Sequence, residues 1–340
     1  MSAKRGRGRG AYLGLDIGAQ SVKGLRLERD GGISFRASLP TPASSGARAV
    51  LATVAELARG LRGRSPLAAT GVGTPGGVDA EGRVAGEAAN IPGWPGADLK
   101  AEVERAAGSP ASVRNDGNLA AFAEWAARGG SSRALLFVGL GTGVGGGYIE
   151  DGRILGGTDD KALEIGHAIV YPGGRSCACG RSGCAEAYAS GPSIGRIALE
   201  LSGGYDSPLA RLARSGAAFN AREVYDALAL GDALAEATHQ VAAHALARVI
   251  GTAIALLAPD TVVLGGGVMA GASRLLEDIS ALAPLHVYPA ACEGLTFEAA
   301  LLGADSGLMG AALYAASTIL PREELLGLAS RALDSLGRKG

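Results

Sequence analysis

Ala134-Leu135-Leu136-Phe137-Val138-Gly139-Leu140 runs without a break into Gly141-Thr142-Gly143-Val144-Gly145-Gly146-Gly147. An uncharged apolar run of this length, closed by glycine, reads as a buried strand that ends in a turn. The same pattern occurs twice more. Tyr12 to Ile17 enters Gly18 and alternation resumes over Val22 to Leu27, a hairpin; Thr261-Val262-Val263-Leu264 leads into Gly265-Gly266-Gly267. Glycines at a strand end let backbone N–H groups approach an anion with no Cβ in the way. One such turn is ordinary hairpin chemistry, but three after apolar strands point to nucleotide phosphates. None carries the Lys-Ser/Thr ending of a P-loop, and none has the spacing of a dinucleotide-binding fingerprint.

The rest of the chain supports an α/β reading. Ala47 to Leu61 has helical spacing, Leu67 to Val72 is strand-like, and Ser112 to Arg114 leads into Asn115-Asp116 and a helix over Asn118 to Arg128. A long Ala/Leu-rich helix is expected from Ala233 to Leu257, and the Pro and Gly between Ser202 and Ser215 suggest a loop. At 340 residues, two lobes are a natural prior. With 32 Lys and Arg against 33 Asp and Glu, no global field would gather nucleic acid or an anionic membrane. No run reaches the roughly 20 consecutive apolar residues of a membrane span, and residues 1–10 read as a disordered basic tail with no signal-peptide core. These features suggest a soluble cytoplasmic protein.

Asp16-Ile17-Gly18, Gly141-Thr142-Gly143 and Gly265-Gly266-Gly267, in this order, resemble the phosphate and adenosine loops of the actin-like sugar kinases. Within that superfamily the chain resembles the ROK-family sugar kinases, most of all their bacterial glucokinases. Gly73-Thr74-Pro75-Gly76-Gly77-Val78-Asp79, Asn90-Ile91-Pro92-Gly93-Trp94, Asn115-Asp116-Gly117-Asn118 and the Gly141 to Gly147 run carry that likeness from about Tyr12 to Tyr314. The most specific segment is Glu164-Ile165-Gly166-His167 followed by Cys177-Ala178-Cys179-Gly180-Arg181-Ser182-Gly183-Cys184-Ala185-Glu186.

The resemblance implies a two-lobed actin-like ATPase (ribonuclease H-like) fold with a central cleft. The small lobe would span 11–119, with a C-terminal helix over 307–318 packed on it. The large lobe would span 120–306 and carry a zinc-binding loop over 167–186, and 319–340 would form a helical extension. The resemblance also implies ATP-dependent phosphorylation of a hexose, with Asp116 as catalytic base and Asn90, Asn115, Asp116, Glu164, His167 and Glu186 on the sugar. ATP would lie on Asp16, Gly18, Gln20, Lys23, Gly141, Thr142, Gly143, Gly265, Gly266 and Gly267. Mg²⁺ would arrive with ATP and meet Asp16 directly or through water. A Cys-x-Cys turn, a third thiol returned by a glycine-containing loop, and His167 would complete a closed structural Zn²⁺ shell of His167, Cys177, Cys179 and Cys184. Taken alone, Asn115-Asp116 reads as a turn or helix cap, with Asn118 a second candidate cap. Cys292 reads as an inert buried thiol.

Glucose is the first expected acceptor, and N-acetylmannosamine, N-acetylglucosamine and fructose share most of this chemistry. Polyphosphate is a rival donor, although relatives that use it usually lack the cysteine cluster. ROK-family repressors place a winged helix before the sugar domain, and here only the basic tail precedes Asp16. A non-catalytic sugar-binding protein is the remaining rival. It gains weight from Asp16-Ile17-Gly18-Ala19-Gln20-Ser21, where relatives usually read Asp-Ile-Gly-Gly-Thr. Ala19 adds a Cβ and Gln20 replaces a hydroxyl, so Ser21 and Lys23 would have to compensate. Relatives are commonly dimers or tetramers, which implies a homo-oligomer.

Overall fold

The computed structural model describes residues 10–63, 65–86, 91–216 and 218–337. Ten strands are β1 (Ala11–Ile17), β2 (Ser21–Leu27), β3 (Ile33–Pro40), β4 (Leu67–Thr74), β5 (Ala111–Asn115), β6 (Ala134–Leu140), β7 (Val144–Glu150), β8 (Arg153–Ile154), β9 (Thr261–Gly265) and β10 (Thr296–Ala299) among the described residues. The α-helices are α1 (Ala47–Leu61), α2 (Leu99–Ala107), α3 (Asp116–Ala127), α4 (Glu186–Ala189), α5 (Gly191–Leu201), α6 (Pro208–Arg214), α7 (Ala221–Ala229), α8 (Ala233–Leu257), α9 (Ser273–Leu282), α10 (Ser306–Ser317) and α11 (Arg322–Ser335).

Two compact units emerge. The first holds the described residues up to Phe137, Gly147–Leu163 and those from Ala304 on; the second holds Val138–Gly146 and Glu164–Gly303. The boundary expected from sequence lies at 119/120, whereas this division puts α3 and the first half of β6 with the first unit. In that unit five strands lie in the order β3-β2-β1-β4-β5. β1 and β2 pair antiparallel, and β4 runs parallel to both β1 and β5. Leu13, Leu15, Ile17, Val22 and Val72 pack with Val50, Val54 and Leu57 of α1 in one apolar core. α10 packs on β1, β4 and α3. The approach is close enough that a Cβ on Gly71 would lie 1.8 Å from the Ala311 carbonyl oxygen, and one on Gly310 would lie 2.0 Å from that of Leu119. Glycine is therefore required at both contacts.

The other sheet has the order β10-β9-β6-β7-β8. The second unit supplies β9 and β10, the end of β6 and the start of β7, with α5, α7 and α8 packed together.

Local expectations fare differently. The β1–β2 hairpin, α1, β6 and α8 lie where the periodicity places them. The loop expected between Ser202 and Ser215 instead contains α6, because Ser207 caps it, Pro208 fills its first turn, and Leu209, Ala210 and Ala213 are buried. The cap of α3 is Asn115 rather than Asn118. Cys292 is half-buried, not buried. α8 is long and apolar enough to cross a membrane by composition, but 56% of its apolar window is buried inside the protein, as in a core helix.

Candidate active site

In the first unit the carboxyl ends of three parallel strands stand side by side, where open α/β sheets bind ligands. Asp16 is in register with Gly73, and Gly73 with Arg114. Gly73 lies between two carboxylate residues: a Cβ there would be 3.4 Å from Asp16 Oδ1 and 3.6 Å from the Asp116 Cα. Two strand spacings, roughly 10 Å, separate β1 from β5.

Asp116 opens α3 and is half-buried, with Oδ1 accepting from the Gly117 N–H at 2.9 Å. Asn115 Oδ1 accepts from the Gly117 and Asn118 N–H groups at 2.9 and 3.2 Å, which makes it the helix cap. Its Nδ2 donates to the Gly76 carbonyl at 3.2 Å. Asn115 thus joins the glycine loop after β4 to the helix that carries Asp116. Asn118, the second candidate cap, is instead 0% exposed and donates to Asp160 Oδ1 at 3.0 Å.

Burial pushes the Asp16 carboxyl up from an ordinary 3.8 to about 6; Lys23, opposite it in the hairpin, pulls down and Asp305 pushes up. The turn after Asp16 is tight, the Gly18 N–H donating to the Ser21 carbonyl at 3.0 Å. Thr41 closes it from β3's end: its hydroxyl donates to the Gly18 carbonyl at 2.8 Å and its N–H to the Gln20 carbonyl at 3.0 Å. Ala19 and Gln20 are exposed at its tip.

The second and third glycine turns meet in the second unit. Gly141 closes on Gly143 (N–H to O 2.9 Å), and its carbonyl accepts from the Gly191 N–H at the start of α5 at 2.8 Å. Gly266 has φ +87°, and a Cβ there would lie 2.3 Å from the Leu140 carbonyl oxygen. Glu186 fastens the same turn, with Oε2 accepting from the Val144 N–H at 3.0 Å. Glu164, His167 and Glu186 also come together: burial raises the Glu164 carboxyl, His167 opposes that and Glu186 reinforces it.

His167, Cys177, Cys179 and Cys184 bring one ligand atom each to within 4.8 Å of one another. Cys177 Sγ lies 3.7 Å from His167 Nδ1, and Cys179 Sγ 3.6 Å from Cys184 Sγ. Two thiolates about 2.3 Å from a tetrahedral zinc lie about 3.8 Å apart, so the donor set and spacing suit that ion. The loop that carries these residues is tight. Cys177 and Arg181 close a turn at 2.8 Å, and Gly183, at φ +87°, leaves no room for a Cβ beside the Tyr171 carbonyl. The Arg181 backbone N–H holds the Cys179 thiol below its usual range, while burial and the neighbouring thiols push Cys184 up to about 12.

The ROK family model matches residues 12–318. The chain belongs to the ROK family. It is 34% identical over 307 residues to a glucokinase of Halalkalibacterium halodurans, covering 88% of this chain and 93% of that one. It is 36% identical over 297 residues to a kanosamine kinase of Amycolatopsis mediterranei, covering 84% and 92%. A ROK family glucokinase from Streptomyces griseus, solved with glucose and AMPPNP, superposes with TM-score 0.79 at 29% identity, covering 91% of this chain and all of the other. The two mixed sheets are those of the actin-like ATPase fold.

In this ROK-family chain the site residues read from sequence fall into two groups. Asp16, Gly18, Gln20, Lys23, Asn115 and Asp116 lie in the first unit; Gly141 to Gly143, Glu164, His167, Glu186, Gly265 to Gly267 and the cysteines lie in the second. Asn90 lies outside the described residues. Asp160 escaped the sequence reading. It is buried, at φ +56°, accepts from the Asn115 N–H at 2.7 Å, and pairs with Arg114 at 3.4 Å. Its signal was Gly156-Gly157-Thr158 just before it: a Cβ on Gly156 would lie 2.1 Å from Asp160 Oδ1.

Proposed function

We propose that this protein is a hexose kinase that transfers the γ-phosphate of ATP to a sugar hydroxyl, with glucose the first acceptor to test. The observation that carries the reading is Asp116 at the mouth of α3, across Gly73 from Asp16. Phosphoryl transfer to an alcohol passes through a loose transition state, so the protein's work is positioning, charge neutralisation and acceptance of one proton. Asp116 takes the hydroxyl proton as the sugar oxygen bonds to the γ-phosphorus and the bond to the ADP oxygen breaks. Asn115 holds Asp116 in register. Glu164, His167, Glu186 and Asn90 serve as hydroxyl ligands, and the glycine turns present N–H groups to the nucleotide.

Asp16 suits a Mg²⁺ that comes with ATP, because a buried carboxyl at the edge of ionisation gains from a cation. Mg²⁺ when bound supplies neutralisation of the phosphate charge. His167, Cys177, Cys179 and Cys184 would hold a structural Zn²⁺, which fixes the loop between Glu164 and Glu186. Reduced thiols fit the cytoplasm, and a homo-oligomer is the expected assembly. The glucokinase and kanosamine kinase relatives both act on hexoses by name, which supports the substrate class and leaves open which ring substituents the site accepts.

Hexose-dependent ADP formation tests this across glucose, fructose, N-acetylglucosamine, N-acetylmannosamine and kanosamine. Turnover with at least one is expected. A sugar that binds while none is phosphorylated would favour the non-catalytic reading, for which the exposed Ala19-Gln20 tip is the specific observation.

A further inference from the structure

Behind the amino end of β1 the first unit contains a partly enclosed cavity of about 250 Å³, lined by Tyr12, Arg29, Glu323, Glu324, Gly327 and Arg331 among others. It is remote from the chemistry proposed above. Tyr12 and Asp16 are four residues apart on one strand, roughly 13 Å, and none of these six residues is assigned to hexose, nucleotide or metal. Tyr12 is 0% exposed, yet its hydroxyl has no hydrogen-bond partner among the described residues. A buried phenol left unpaired is costly, and it marks a place where a partner is missing.

Around the buried phenol stand four solvent-exposed charged residues, Arg29, Glu323, Glu324 and Arg331, which make no ion pair with one another. Glu323 and Glu324 stand in the first turn of α11, and neither makes a hydrogen bond or ion pair among the described residues. Arg331 uses Nε on the Asp30 carbonyl at 3.0 Å and Nη2 on the Arg29 carbonyl at 3.4 Å, which leaves Nη1 free. The Arg29 guanidinium has no hydrogen bond or ion pair among the described residues. Arg29 pulls the Tyr12 phenol down and Glu324 pushes it up, beneath the larger upward effect of burial, so both signs of charge reach the hydroxyl.

Two guanidinium and two carboxylate groups face one cavity, sum to no net charge and make no direct ion pair with one another. A dianionic sugar phosphate would satisfy the arginines and meet the carboxylates with repulsion. A neutral sugar could hydrogen-bond to all four groups but would neutralise none of their charges. A molecule with one cationic and one anionic end forms charge-assisted bonds to both sets. The volume lies below the roughly 300–1,000 Å³ of sites for drug-sized ligands, so the ligand is small. We propose that this cavity binds a small zwitterion of the amino-acid class, its carboxylate on Arg29 and Arg331, its ammonium on Glu323 and Glu324, and the Tyr12 hydroxyl hydrogen-bonded to it.

The twenty amino acids serve as probes, screened by thermal shift on the full chain, with calorimetry of any that raise Tm. At least one is expected to bind saturably at one site per chain. Loss of a bond to a charged partner is worth roughly tenfold or more in Kd, so Tyr12→Phe and Glu324→Gln should each weaken binding by that factor. Both variants should keep wild-type kcat in the ADP assay, because neither residue touches hexose or ATP; that retained turnover also shows that they fold. Absence of saturable binding by any amino acid would overturn the proposal. So would binding that both variants leave unchanged, or a cavity that takes glucose or inorganic phosphate in a Tyr12-dependent way and no amino acid. No step of the binding test requires phosphoryl transfer, so a failure of the kinase reading leaves its outcome intact.

Discussion

Asp16 is the residue whose chemistry depends most directly on its surroundings. Its carboxyl is raised in the folded chain, chiefly by burial, from 3.8 to about 6. The protonated form is therefore favoured by folding. That contribution is fully present below about pH 4 and is lost as pH rises through about 6. A shift of this size corresponds to roughly 3 kcal/mol at most. Asp16→Asn should accordingly raise the stability of the nucleotide-free protein at pH 8, by about 1–3 kcal/mol in denaturant titrations, with the gain vanishing below pH 4. The same variant should bind Mg-ATP more weakly, and the wild-type ATP KM should climb as pH falls below about 6. A flat KM between pH 5 and 8 would remove Asp16 from the cation site. Asn115 makes a second residue-scale prediction. Because its side chain caps α3, Asn115→Ala should cost about 1 kcal/mol of stability besides raising the hexose KM; a KM effect with unchanged stability would mean that the cap is dispensable. The Asn-Asp pair was legible in sequence as a cap or a site, and it is built as the cap of the helix that Asp116 opens. Asp160 was not legible, since its importance lies in contacts to Asn115 and Asn118 more than forty residues away.

At the scale of elements, the strand-then-glycine pattern was readable because a buried strand carries its own periodicity and glycine its own turn chemistry. α6 was misread because Ser207-Pro208 looks the same in a loop and at a helix start; what decides is the buried face of Leu209, Ala210 and Ala213. The first turn remains the element that departs from the family pattern. Its Thr41 bonds hold the backbone closed on Gly18 and Gln20 while Ala19 and Gln20 project outward. Ala19→Gly combined with Gln20→Thr should lower the ATP KM and leave hexose affinity nearly unchanged; a raised KM would make Gln20 a native ligand. The cysteine loop is the other element with a direct test. One zinc per chain is expected by elemental analysis, and Cys179→Ser should lower Tm and hexose affinity together, because the proposed ion would close the loop that ends at Glu186. Zinc-free protein with full Tm and affinity would leave the four ligands as an ordinary thiol cluster.

For the whole molecule, family and fold could be read from ordered motifs spread along the chain, since three glycine turns and the Glu164 to Glu186 block constrain one another. The division of the chain could not. β6 and β7 each pass from one unit to the other, and no composition change marks a crossing inside a strand. Nor does a sequence reveal which buried hydroxyls lack partners, so the cavity behind Tyr12 had no signature. At the centre of the proposed reaction a hexose hydroxyl loses its proton to Asp116 while ATP loses its γ-phosphate. The most direct measurement compares wild type and Asp116→Asn for hexose-dependent ADP formation at saturating ATP, alongside hexose affinity by calorimetry. The amide retains the geometry but cannot take the proton, so kcat should fall by roughly 10² or more with the hexose Kd within a few-fold of wild type. Near-normal turnover in the variant, or no hexose-dependent ADP from the wild type, would contradict the account.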